Sequence, residues 1–232
     1  MLKPNKSEWK GMLVAAACAV ALSIFTPFAG MVPVVALQQF AQPKPRESEI
    51  NNLVKQLGTE ATRWNAIEKL ARIGEPAVRP LIQALSNKND LVRVSASFAL
   101  AKIGEPAVRP LIGSLYNNDG EIRKNASWAL GRIGNKEAVL PLIEVLKKDP
   151  SVKIQVQAAE SLGSLASAGS MTLPQLRETK AGIGVLEQKI DDMSEDGTIL
   201  DEDRKIYNNI INSARAGLNA AAISMTPKRK EQ

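Results

Sequence analysis

The sequence predicts an all-α chain built around a right-handed α-solenoid of about four helix pairs. A hydrophobic helix precedes the solenoid and a helical hairpin comes after it. Three observations carry this reading. The nine residues GEPAVRPLI occur twice, at 74–82 and 104–112, and a looser copy, GNKEAVLPLI, stands at 134–143. Self-similarity at a period of this size marks stacked supersecondary units in place of a single globular core. Residues 11–37 carry no charge, and after residue 170 the repeat fades into two helical stretches, 173–193 and 201–225. The chain thus divides into 1–40 (signal peptide or membrane anchor), 41–47 (Pro-rich linker), 48–169 (repeat domain), 170–225 (C-terminal helical hairpin) and 226–232 (basic tail).

At the front, Lys3, Lys6 and Lys10 stand against one acid, Glu8, before the uncharged run. A run of this length can cross a hydrocarbon core of about 30 Å. Positive residues ahead of it favour a cytoplasmic N-terminus. The expectation is a single-pass membrane protein, held through residues 11–37, with its bulk on the extracytoplasmic side. Cleavage as a signal peptide is the alternative, leaving a secreted, periplasmic or lumenal protein. Residues 12–25 have the length of a signal h-region, and Val34-Val35-Ala36 is the better of two small-residue cleavage motifs. The lone Cys18 lies inside the run and cannot form an internal disulfide. Two prolines keep the linker at 41–46 extended.

The repeat is read by superposing its copies. In the first helix of each unit, Arg63, Ala66, Leu70 and Ile73 match Arg93, Ala96, Leu100 and Ile103, then Arg123, Ala126, Leu130 and Ile133. Apolar residues at this spacing form one stripe of an amphipathic helix. Gly74, Gly104 and Gly134 stop these helices, as residues free to take positive φ. Pro76 and Pro106 then stand where a second helix begins and a missing N–H costs little. The second helix presents Val78, Leu81, Ile82 and Leu85, repeated as Val108, Leu111, Ile112 and Leu115. Its inner prolines Pro80, Pro110 and Pro141 are expected to loosen its first turn. Asp90, Asp119 and Asp149 precede the next first helices as expected N-caps. A fourth unit aligns through Ala158, Leu162 and Gly163 after a two-residue insertion, and 48–57 reads as an N-terminal half-unit.

The motif V-R-x-x-A-x-x-A-L-x-x-I-G followed by E-P-A-V-x-P-L-I, clearest over 92–115 and 122–146, resembles the HEAT-like repeat family, in the short form named for phycobilisome lyases. The resemblance covers about residues 60–166. It implies a scaffold that takes a protein partner on a concave surface lined by the second helices. On that reading Arg79 and Arg109 are the partner-contacting candidates. Arg63, Arg93 and Arg123 recur at one place per unit, which is the mark of a stacking role: each pairs with an acid or carbonyl of its neighbour.

Between the two C-terminal helices, residues 192–203 resemble an EF-hand loop, with Asp192, Ser194, Asp196, the Thr198 carbonyl and Asp203 as oxygen ligands for Ca2+ or Mg2+. Gly197 sits at the sharp turn of such a loop. Ser194 and Asp203 depart from the pattern, Asp203 being too short for bidentate ligation. The other reading of these residues is an interhelical turn followed by an acidic first helical turn.

Composition narrows function further. The chain has no His and one Cys, which removes the commonest general base and zinc sites built on both. No cofactor is expected beyond that ion, and an enzyme is not expected. The net charge of +6 divides as +4 over 1–46, +3 over 47–166 and −1 over 167–232. The repeats are only mildly basic and their aromatics Trp64, Tyr116 and Trp128 are scattered, so no nucleic acid is expected. The leading reading is a membrane-attached or exported scaffold that binds another protein and supports assembly of a membrane or envelope complex. Its alternatives are a bilin-lyase-like enzyme or subunit and a nucleic-acid-binding solenoid.

Overall fold

The computed structural model describes residues 47–225. The order is α1 (Glu47–Gln56), α2 (Arg63–Ile73), α3 (Glu75–Ala84), α4 (Asp90–Ile103), α5 (Glu105–Ser114), α6 (Gly120–Ile133), a 3-10 turn (Lys136–Ala138), α7 (Val139–Lys148), α8 (Val152–Ser167), α9 (Leu173–Glu195) and α10 (Asp201–Met225). Among the described residues there is no strand. The first helices of the units are α2, α4, α6 and α8, and the second are α3, α5 and α7. The half-unit α1 packs against α2 and α3.

A unit of two short helices cannot close its own apolar stripe, so it buries it against the next unit. Ala66, Ile67, Leu70, Ala96, Leu100, Ala126 and Leu130 of the first helices are buried with Leu81, Leu111 and Leu142 of the second in one continuous core. Each fully buried Leu contributes about 1.5–3 kcal/mol. The second helices run unbroken past Pro80 and Pro110.

The turns inside the units refine the expectations from sequence. Gly74 and Gly104 have φ of 72° and 77° with ψ near −135°, and each closes one helix and opens the next with no residue between. Gly134 takes the left-handed conformation (φ 78°, ψ 12°) instead. The third unit has one more residue here, Asn135-Lys-Glu for Glu-Pro, and spends it on a 3-10 turn capped by Asn135. Only Asp119 is an N-cap, accepting from Glu121 N at 2.8 Å. Asn89 caps α4, one residue before Asp90. Asp149 turns inward and α8 begins after Ser151.

The hairpin α9–α10 closes the C-terminal end, with α9 against α7 and α10 against α8. Small residues let α8 and α10 touch backbone to backbone. A Cβ added at Gly163 would stand 2.6 Å from the Ala214 Cα, and one at Gly217 would stand 2.6 Å from the Gly163 carbonyl oxygen.

No helix among the described residues is long and apolar enough to cross a membrane. The two longest, α9 and α10, carry charged residues, α9 at intervals from Arg177 to Glu195 and α10 over 201–205 and at Arg215. This corrects the expectation of a single-pass membrane protein. Residues 11–37, on which that expectation and the hydrophobic N-terminal helix rested, lie outside the described residues, as do the linker to residue 46 and the tail 226–232.

Gly163→Ala is expected to lower the folding free energy by about 1–3 kcal/mol, because α10 must shift off α8. Gly184→Ala, at a mid-helix site with nothing within 4 Å of the new methyl, should raise it by about 0.5–1 kcal/mol. Urea unfolding midpoints of the two variants check the pair.

Candidate functional site

The repeated arginines fix the register of the stack. Arg123 donates from Nε and Nη2 to the two oxygens of Asp149 at 2.7 and 3.2 Å. Its Nη1 donates to the carbonyls of Asn117 and Asn118, at 2.9 and 3.1 Å, in the loop between units. Arg93 repeats this geometry: Nη1 donates to the Asn87 carbonyl at 2.7 Å, Nη2 donates to Asp90, and Nε lies 3.3 Å from Glu121 of the following unit. The Asp149 side chain is 4% exposed and that of Arg123 13%. Their hydrogen bond raises the Arg123 pKa against the opposing cost of burial.

Both ends of the array depart from this pattern. Arg63 stands at the same place in the first unit, but its buried Nε has no hydrogen-bond partner. Leu91 occupies the place that Glu121 fills one unit later. In the fourth unit the place falls to the buried Gln155, whose Oε1 accepts from Lys189 Nζ of α9 at 3.3 Å. Further ties between units run from Asn125 Nδ2 to the Leu85 carbonyl and from Ser161 Oγ to the Ser127 carbonyl.

The first helices also carry an aromatic chain. Trp64 meets Phe98 edge-on at 6.0 Å between centroids, and Phe98 meets Trp128 at 4.7 Å. Trp64 is 56% exposed and Val94 47%. An open groove of about 260 Å³ lies against Val94, Ser97, Phe98, Asn125, Trp128 and Gln157. The guanidinium of Arg132 stands over the Trp128 ring at 5.9 Å, and Lys102 of α4 pairs with Glu68 of α2. Successive first helices pack closely along the stack, whereas successive second helices meet less extensively.

Arg79 and Arg109, expected to contact a partner, lie on the second helices α3 and α5. Both are exposed, and Arg109 Nε is 3.5 Å from Glu137. Arg79 borders a shallow groove with Val78, Ile82, Pro106 and Pro110.

The structure does not gather the acidic loop residues. Asp192 and Ser194 lie within α9, and Asp203 lies in the first turn of α10. Asp192 Oδ1 accepts from Gln188 Nε2 at 2.9 Å. Asp196 accepts from the Thr198 hydroxyl and, at 3.0 Å, from its N–H, which holds the carboxyl below its usual range. The Thr198 and Ile199 N–H groups both close on the Met193 carbonyl, in a turn through Gly197 at φ 76°. Among the described residues no three His, Cys, Asp or Glu side chains are placed to hold a metal ion.

The aromatic chain escapes a thirty-residue superposition. Phe98 and Trp128 align, but Trp64 aligns with Val94 and reaches Phe98 across the helix pair. Only the stacked helices bring the three rings together.

A family model for HEAT repeats matches residues 50–120 and again 108–180. No curated protein matches the chain. Among solved structures it is similar to an engineered protein at 19% identity, with 76% of this chain and 87% of that one covered and a TM-score of 0.41. It is also similar to a designed armadillo repeat protein in complex with the peptide (KR)4, at 20% identity, 79% and 94% coverage and a TM-score of 0.37. Similarity at this level carries no information on what the chain binds.

Asp149→Ala leaves the Arg123 charge without its partner and is expected to cost about 3 kcal/mol, whereas the pair Arg123→Met with Asp149→Leu recovers most of it. Thermal unfolding of both variants measures the difference. Tyr116 donates to Glu144 Oε2 at 2.9 Å, and burial first, then this carboxylate, raises its pKa. Burial raises that of Tyr207 as well, with a smaller part from Asp203. A phenolate absorbance titration should place both above the ordinary value of about 10. Glu144→Gln should return Tyr116 part of the way. Because the folded pKa is the higher, the linked stability is full below the unfolded value and fades as pH rises through the folded one.

Proposed function

Because this chain belongs to the HEAT repeat family, we propose that it works as a non-enzymatic scaffold that binds another protein and supports assembly of a larger complex. The observation that carries this reading is the chain Trp64–Phe98–Trp128 on the first helices, open to solvent beside a groove. Packing inside the stack does not require Trp64 to be 56% exposed. Large aromatics bury much apolar area at small entropic cost, and they are the side chains that carry most of the energy of protein interfaces. Gln157 adds an amide group at the groove, suited to hydrogen bonds with a partner's backbone. The fold supports the reading because stacked units expose side chains in regular rows, which is how repeat proteins build extended binding surfaces. The second helices offer a shallower groove beside Arg79 and no chain of aromatic rings.

The test is site-directed photo-crosslinking in the native cell, with the reactive residue placed at position 94 or at position 79. Position 94 should yield a protein adduct and position 79 none. The captured protein, once purified, should then bind Trp128→Ala at least about 30-fold more weakly, the loss of an interface anchor worth about 2 kcal/mol. An adduct from position 79 alone would move the interface to the second helices. No adduct from either position would sink the scaffold reading.

A further inference from the structure

The first helices have a charge pattern that their apolar groove does not explain. The four of them carry nine Lys or Arg against four Asp or Glu, whereas the second helices and the 3-10 turn carry five against four. Arg93 and Arg123 are spent on the register of the stack. Of the seven other cations, three lie in a row. Arg72, Lys102 and Arg132 occupy one repeat position, thirty residues apart, near the C-terminal ends of α2, α4 and α6, and all three are exposed. Contacts tie this row to the aromatic chain. Arg132 stands over Trp128, and Lys102 reaches back to Glu68. Arg72 lies close enough to Glu68 to help lower the pKa of that carboxyl, after Lys102. In the fourth unit the row ends at Ser164.

Resting on the scaffold reading, we infer that the partner presents an extended acidic segment, with a carboxylate at every third residue, to Arg72, Lys102 and Arg132 and an aliphatic side chain to the groove beside Phe98 and Trp128. The spacing comes from the two backbones. Packed helices stand about 8–10 Å apart, so the three cations recur at that interval. An extended or polyproline chain advances about 3.1–3.3 Å per residue, so three residues span one interval. In a polyproline helix positions i, i+3 and i+6 also share one face. A helical ligand reaches a similar interval only with its acids seven residues apart, an advance of about 10.5 Å, so spacing by three is the mark of an extended partner.

The rings disfavour a nucleic acid on the same face. Bases bind by stacking on free aromatic faces. Here the three rings meet edge to face, Arg132 stands over Trp128 and Arg63 stands over Trp64 at 5.0 Å. What stays open is an apolar slot with an amide group, which suits an aliphatic side chain and a peptide backbone.

The experiment uses the full chain and fluorescence anisotropy with labelled peptides of about twelve residues, in which Glu recurs at every third position among Pro and Leu. Two comparison peptides have the same composition with the Glu residues clustered, or Lys in place of Glu. The spaced acidic peptide should bind at least about tenfold more tightly than either, with affinity falling as salt rises. Arg72→Glu with Arg132→Glu should cost a further tenfold or more, roughly, since both side chains are exposed and the fold is kept. The peptide comparison leaves the protein unaltered, so it decides even if the double variant unfolds. Equal binding of the three peptides, or preference for the Lys peptide, overturns the inference. So does tighter binding of a single-stranded oligonucleotide, or self-association in sedimentation that competes with the peptide and gives the groove to a second copy. If crosslinking at position 94 captures a protein whose contacting segment is not acidic, the scaffold reading stands and this one fails.

Discussion

A guanidinium near the start of α4 and another near the start of α6 govern how one unit meets the next. Hydrophobic burial drives the units together, but it is non-directional and would accept a range of offsets between two apolar stripes. Arg93 and Arg123 remove that freedom. Each spans the carbonyls of the loop before its own helix and, through Nε, an acid supplied from beyond it. The planar fork suits this double duty where an ammonium would serve one partner at a time. The arginine's value lies in uniqueness of packing more than in net energy, since a buried ion pair often does little better than apolar residues of the same volume. The rings of neighbouring first helices meet at this one offset.

The sequence made legible whatever repeats at a fixed interval. The glycines at 74 and 104 require positive φ, and their identity in two units marks the hinge from the residues alone. The core stripe and the extent of each helix pair emerge from the same superposition. Features that depend on the packing of one helix against another stayed hidden. Asp90 looks like a cap until its neighbour Asn89 is seen to do the work, and Asp149 looks like one until it faces Arg123. The rings of Trp64 and Phe98 meet only across two helices. The acidic segment near residue 197 has the residue types of an ion loop, but the first of them remain helical and the last already begin the next helix.

The hairpin belongs to the same physics by a different route. Where units stack on Leu and Ala, α8 and α10 meet through Gly163, Ala214 and Gly217, so backbones touch and no large side chain intervenes. Such a contact gains dispersion over many atoms but tolerates no added volume. It covers the last exposed flank of the repeats and ends the core without a further unit.

The hydrogen-bond sense of the register contact also gives the array a direction and two chemically distinct ends. Both internal arginines, Arg93 and Arg123, take their acid from the C-terminal side, so the register contact runs one way along the array. At the first position a donor is left over, at Arg63. At the last, Gln155 offers an acceptor and receives the ammonium of Lys189. A unit duplicated in the interior would therefore meet compatible neighbours on both sides, whereas one appended after α8 would find the donor it needs replaced. Length in this protein is written as polarity: the array can grow from within, and a single amide tells it where to stop.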